Sequence, residues 1–140
     1  MGLPGSGKTT LGKKLSKHFN IPHWDGDVVR EIYNDWDFSL QARERSALRM
    51  RKLADLDPIS ISSFVCPLPE YRSLFFPDKI IWMDTIDKSE YDDTNKLFIP
   101  PTKYDLSITK FGDDDKAFEW YITLYSEDKK TKTIENTEQQ

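Results

Sequence analysis

The chain predicts an α/β fold in three layers, with helices on both faces of a parallel, doubly wound sheet. Two observations carry this reading. Short apolar runs alternate with amphipathic stretches of helical period, the pattern of parallel strands joined by crossover helices. The residues after Met1, Gly2-Leu3-Pro4-Gly5-Ser6-Gly7-Lys8-Thr9, fit G-x-x-x-x-G-K-[ST], the phosphate-binding loop that joins a buried strand to a helix. Its glycines let the backbone curl until successive N–H groups face a phosphate. In this pattern Lys8 reaches the β- and γ-phosphates of ATP, and Thr9 offers its hydroxyl to Mg²⁺. The helix that follows adds its positive dipole end. The nucleotide site is therefore expected at Gly2, Pro4, Gly5, Ser6, Gly7, Lys8, Thr9 and Thr10, on a P-loop NTPase/kinase-like fold.

The elements follow in order. Thr9 to Phe19 reads as a helix, with Leu11, Leu15 and Phe19 on one face and lysines on the other. Ile21 to Trp24 reads as a strand that delivers Asp25-Gly26-Asp27 at its C-terminal end, and Val28 to Tyr33 as a short helix. Ser39 is a good N-cap for a helix from Leu40 to about Asp55, where Leu40, Ala47, Met50, Leu53 and Ala54 keep helical spacing. Ile59, Ile61 and Phe64 mark a strand ended by Pro67; Ile80-Ile81-Trp82-Met83 is a second, uninterrupted as buried parallel strands are. Leu106 to Thr109 reads as the last strand. Ala117 to Tyr125 reads as a closing helix with Phe118, Tyr121, Ile122 and Tyr125 on one side. From Lys129 the chain is polar, so one domain over 1–128 and a frayed tail over 129–140 are expected.

A phosphate loop is ordinarily fed by a buried strand in mid-sheet, and here only Met1 precedes Gly2. The expectation is that Met1 is an internal methionine of a longer natural chain. Without that strand, the flanks of its two neighbours should be exposed.

With 140 residues there is room for one core. A net charge of −4 and a pI near 5.2 give no global field toward nucleic acid or anionic membrane. No apolar run is long enough to span a bilayer and no signal-type segment is visible, so a cytoplasmic protein is expected. Cys66 is the only cysteine and reads as a small buried filler; His18 and His23 have no metal-spaced partner and read as structural.

Asp25 and Asp27, two carboxylates at the end of a parallel strand, lie where open α/β sheets bind ligands. Phosphoryl transfer needs a carboxylate for the acceptor hydroxyl and oxygen ligands for Mg²⁺. The two residues divide those tasks, with Thr9 and Asp27 as the expected metal side; which aspartate receives the hydroxyl stays open. Arg30 and Arg43 suit an anionic acceptor, because guanidinium pairs bidentately with phosphate or sulfate oxygens. Phe38 suits stacking on a base, or alternatively a hydrophobic staple at the helix entry.

From Gly2 to Arg72 the chain resembles the adenylylsulfate kinase family. The likeness rests on the loop, on Asp25-Gly26-Asp27 with Arg30, on Asp35-Trp36-Asp37-Phe38-Ser39 with Arg43, and on Ser63-Phe64-Val65-Cys66-Pro67 with Arg72. The corresponding family patterns are D-G-D-x-x-R, D-L-G-F-S-x-x-x-R and S-F-I-S-P-x-R-x-x-R. The resemblance implies a kinase that uses ATP and Mg²⁺ to phosphorylate the 3′-hydroxyl of adenosine 5′-phosphosulfate in sulfate assimilation. It places Lys8, Asp25 and Asp27 in catalysis and Arg30, Phe38, Arg43, Ser63, Phe64 and Val65 around the acceptor. It also implies a possible homodimer and a small-molecule partner, not nucleic acid or membrane.

Beyond Arg72 the likeness thins. Ser46 stands where the family has asparagine, Pro69 where it has the first arginine, and Cys66 where it has serine. The lid resembling K-G-L-Y-K-K-A-R has no counterpart; residues 87–101 are too short for one. Two readings stand for Lys96 and Lys103, partial substitutes for the lost charge or ordinary lysines of a surface loop, and Phe98 is a candidate to sandwich the acceptor base. Two rival readings are a P-loop kinase for a sugar acid, nucleoside or polynucleotide end, and a nucleotide-binding module without catalysis.

Overall fold

A computed structural model describes residues 1–138, with side chains through residue 126. Helix α1 spans Lys8–Phe19, strand β1 His23–Asp25, α2 Gly26–Tyr33 and α3 Leu40–Ala54. Then follow β2 Ile61–Ser63, α4 Pro69–Phe75, β3 Ile81–Met83, α5 Asp92–Leu97, β4 Leu106–Ile108 and α6 Asp114–Glu138. The expected elements are all present to within a few residues. Two short helices had no counterpart in the sequence reading: α4, with Pro69 at its first position, and α5, opened by Asp92 and Asp93 against the helix dipole. At seven and six residues, neither is long enough to display a helical period.

The strands are parallel but form two pairs. β1 lies on β2 with His23, Trp24 and Asp25 opposite Ile61, Ser62 and Ser63; β3 lies on β4 with Ile81 opposite Leu106 and Met83 opposite Ile108. Met1 sits on the free flank of β3, its terminal amine donating to the Ile81 carbonyl at 2.7 Å and its carbonyl accepting from the Met83 N–H at 2.7 Å. A cleft of about 810 Å³, lined by Ile61, Ser62, Ile81 and Met83 among others, opens between the pairs. The two flanks expected to be exposed are thus the edges of β2 and β3 that border this cleft, and Met1 covers part of the β3 edge.

Leu11 and Leu15 of α1 close on Met83, Ile108 and Ala117, joining α1, β3, β4 and α6 in one apolar cluster. Phe19, at the end of the same stripe, meets Phe118 and Tyr121 of α6 at ring-centroid distances of 5.9 and 4.3 Å. Ile122 and Tyr125, expected on that apolar side, are about half exposed. Along α3, Ala42, Ala47 and Met50 are fully buried, whereas Leu40 is exposed. Ala47 packs with Cys66 and Tyr71 beneath α4. Ser39 caps α3 as expected, its Oγ accepting the Ala42 N–H at 3.2 Å. Helix α6 runs on through Lys129 to Glu138, and residues 139–140 lie outside the described residues.

Candidate active site

One cavity of about 970 Å³ gathers the phosphate loop, the D-G-D turn and the arginine-bearing elements at the C-terminal ends of β1 and β2. Pro4, Gly5, Gly7, Lys8, Thr9 and Thr10 line it. Gly7 caps α1 at φ 98, a left-handed conformation that glycine adopts without a Cβ penalty. Gly2 and Ser6 do not line the cavity. Ser6 is fully buried beneath the loop, its N–H donating to Leu3 O at 3.1 Å and its carbonyl accepting from Thr85 Oγ1 at 2.7 Å. These two residues shape the cradle from below.

Lys8 folds back, Nζ donating to Leu3 O at 2.7 Å. Burial pushes its ammonium down to about 8, while the nearby carboxylates of Asp27 and Asp25 pull it back up. Across the cavity Thr9 Oγ1 donates to Asp25 Oδ2 at 2.7 Å, and Asp25 Oδ1 accepts the Asp27 N–H at 2.9 Å, capping α2. Both Asp25 oxygens are therefore engaged. Asp27 is exposed on the first turn of α2, and its carboxylate accepts no hydrogen bond among the described residues. Gly26 lets this turn approach β2, since a Cβ there would lie 2.7 Å from Phe64 Cβ.

Arg30 and Arg43 are both buried and both touch Phe38. Their guanidinium carbons lie 4.4 and 5.5 Å from its ring centroid. Arg30 Nη1 donates to the carbonyls of Asp35 at 3.2 Å and Asp37 at 2.8 Å. Arg43 donates through Nε to Phe38 O at 2.9 Å and through Nη2 to Thr94 Oγ1 at 3.2 Å, with Asp93 Oδ2 at 3.6 Å. Phe38 and Arg43 flank the first turn of α3 as a staple would, with a guanidinium in the place of the usual apolar partner. Asp35 fastens this loop to α3 by accepting from Arg45 Nε at 2.9 Å and Arg49 Nη1 at 2.6 Å, and these bonds hold its carboxyl far below the usual range.

Ser63, Phe64 and Val65 line the cavity with the arginines. The Ser63 hydroxyl is buried and engaged with His23 and the Lys8 carbonyl. Phe64 packs edge-on against Phe75 at 5.1 Å. Cys66 is buried, and burial pushes its thiol up to about 12, as suits a filler.

Neither Lys96 nor Lys103 lines the cavity, and Phe98 lies instead under Arg72, 5.5 Å from guanidinium carbon to ring centroid. Besides Lys8, Arg30 and Arg43, the cations that line it are Lys14 and Lys110, the latter next to the exposed Phe111. Lys110 to Gly112 directly follow β4, so their position at the end of a parallel strand was a legible signal. Trp36, Glu90 and Tyr91 line the opposite side. The segment that carries α5 is tied by Asn95, whose amide exchanges hydrogen bonds of 2.8 Å with the backbone of Ser89.

Parallel strands with helices on both faces and a phosphate loop opposite a D-G-D turn define a P-loop kinase fold. Within that class the likeness is to adenylylsulfate kinases. The APS kinase CysC of Mycobacterium tuberculosis, solved with AMPPNP and APS, superposes with a TM-score of 0.71 at 20% identity, over 90% of this chain and 94% of that one. A gluconokinase from Sinorhizobium meliloti 1021 superposes at 0.58 and 12% identity, over 78% of each chain. At these identities the likeness concerns the fold. The family model described as AAA domain matches residues 1–61. Over 58 residues the chain is 41% identical to a cytidine diphosphoramidate kinase of Campylobacter jejuni subsp. jejuni serotype O:2, a match of 38% of this chain and 34% of that protein. The chain thus matches about a third of the length of that curated relative. Among the described residues no helix is long and apolar enough to cross a membrane.

Proposed function

We propose that the chain is a phosphotransferase that moves the γ-phosphoryl group of ATP to a hydroxyl of a small acceptor. Adenosine 5′-phosphosulfate, through its 3′-hydroxyl, is the first acceptor to test. The observation that carries the reading is the 2.7 Å bond from Thr9 to Asp25, which sets the phosphate loop against the D-G-D turn in one cavity.

The hard oxygens of Thr9, Asp25 and Asp27 fit Mg²⁺, which takes one or two protein ligands and completes its shell with water and phosphate. Bound there, the ion would neutralise charge on the β- and γ-phosphates. Thr9 and Asp25, already adjacent at 2.7 Å, would hold the ion, in place of the Thr9 and Asp27 pairing expected from sequence. Asp27, with its carboxylate uncommitted, orients the acceptor hydroxyl and takes its proton. As the acceptor oxygen bonds to the γ-phosphorus, the bond from that phosphorus to the β–γ bridging oxygen breaks and ADP leaves. Lys8 holds the β- and γ-phosphate oxygens throughout. Phe111, 62% exposed beside Gly7, offers its face to the donor base, and Phe38 with Arg30 and Arg43 receives the acceptor.

A second acceptor deserves equal weight in the assay because of the local 41% match, namely cytidine diphosphoramidate. The test is transfer from γ-labelled ATP across a panel of adenosine 5′-phosphosulfate, cytidine diphosphoramidate, gluconate, nucleosides and a polynucleotide 5′ end. Labelled adenylylsulfate supports the first reading, and label elsewhere moves the acceptor assignment. ATP binding with no transfer to any of them defeats the phosphotransferase reading.

A further inference from the structure

His23 lies outside every role assigned so far, yet it touches the back of the phosphate loop. Its Nε2 is 2.8 Å from Ser63 Oγ, and that hydroxyl donates onward to the backbone carbonyl of Lys8 at 3.3 Å. Ser63 has one proton to give. With that proton directed at Lys8 O, the bond from His23 is an Nε2–H donation to Ser63.

The chain has made room for this relay. Gly12 lies one helical turn beyond Lys8, and a Cβ there would sit 2.4 Å from His23 Nε2 and 2.6 Å from Ser63 Oγ. No side chain fits between α1 and the two strands at that point. The absence of one lets a histidine at the start of β1 and a serine at the end of β2 reach the first turn of α1. That turn carries Lys8 and Thr9, and Asp25 lies two residues along β1 from His23.

We infer that His23 is a positioning residue for the nucleotide site, acting through Ser63 to fix the Lys8 carbonyl and with it the register of the phosphate loop against the D-G-D turn. The inference deepens the proposed function and rests on its first step alone, that the loop binds ATP. Two polar groups at successive removes from the ligand act as one chain, so deleting either should cost the same. A single buried hydrogen bond of this kind corresponds to about a tenfold change in affinity.

The experiment measures ATP affinity by calorimetry and thermal stability for each variant of the full chain. Ser63→Ala and His23→Leu are each expected to weaken ATP binding about tenfold, and the double variant no further than either single. His23→Gln, whose amide N–H reaches the position of Nε2, is expected to regain most of the loss. Gly12→Ala, whose methyl needs the space of both the imidazole and the Ser63 hydroxyl, should weaken ATP binding in the wild-type background. If Ser63→Ala binds ATP as wild type does, or the two losses add fully, His23 is merely a packing residue and the inference is wrong. Should His23→Leu fail to fold, the smaller Ser63→Ala change decides the question alone. A wild-type chain that binds no ATP would instead sink the proposed function beneath it.

Discussion

Burial pulls the Lys8 ammonium down to about 8 from an ordinary 10.5, and a bound triphosphate would push it up again. Between these two values the unfolded chain keeps a proton that the folded chain has released. Stability attributable to this group therefore rises with pH from about 8 to 10.5, and the full cost of the buried charge is present below 8. Lys8→Met should lower kcat/KM by about 10²–10³, since it deletes a charge-assisted contact to the transferring group. In urea unfolding followed across pH, the difference between wild type and Lys8→Met should shift in favour of wild type above pH 8. A pH-independent difference would refute the assigned burial of charge. Cys66 gives a second check at this scale. Its buried thiol, pushed up to about 12, should resist iodoacetamide at pH 8 in the native protein and react once urea unfolds the chain.

The loop between α2 and α3 is built by cations, of which Arg30 and Arg43 also line the cavity. Arg30 gathers the carbonyls of Asp35 and Asp37, Asp35 binds Arg45 and Arg49, and Phe38 is thereby presented with a guanidinium against it. Asp35→Asn removes the charge of this fork but leaves the phosphate loop alone. The expected result is a several-fold higher KM for the acceptor with an unchanged ATP affinity, read by steady-state kinetics and calorimetry. Equal losses for both substrates would contradict it. Because Asp35 is held below its ordinary pKa, its stabilisation is complete above the unfolded carboxylate range and is lost as pH falls through the lowered folded value. The stability gap between wild type and Asp35→Asn should accordingly narrow in strong acid. The basic residues of α3, read from sequence as a mostly solvated face, are divided by this arrangement: Arg43 and Arg49 turn inward, while Arg45 spans the surface to Asp35.

Two parallel strand pairs separated by a cleft leave the molecule dependent on its helices for cohesion. Helix α1 spans the division, packing against β1 and β2 and contributing Leu11 and Leu15 to the cluster of Met83, Ile108 and Ala117. Ile108 is 1% exposed at the centre of that cluster. Ile108→Ala should cost about 2–5 kcal/mol through the lost transfer energy and the cavity left behind. A urea midpoint that falls with unchanged slope would confirm this, and an unchanged midpoint would show that β3 and β4 contribute little to cooperative stability. Because the phosphate loop sits between the two pairs, that loss of stability should also weaken ATP binding near the midpoint and not in dilute urea.

By itself the sequence determined the parallel α/β class, the phosphate loop, the Ser39 cap, the D-G-D turn and the residues of the resemblance up to Arg72. Each is written in neighbouring residues, where spacing and capping chemistry act locally. Only the tertiary structure decided that Thr9 meets Asp25, that Ser63 faces backward to His23, and that Lys14, Lys110 and Phe111 rather than Lys96, Lys103 and Phe98 border the cavity. Those pairings join segments 16 or more residues apart, and their partners are chosen by strand register and helix packing, which no local pattern encodes.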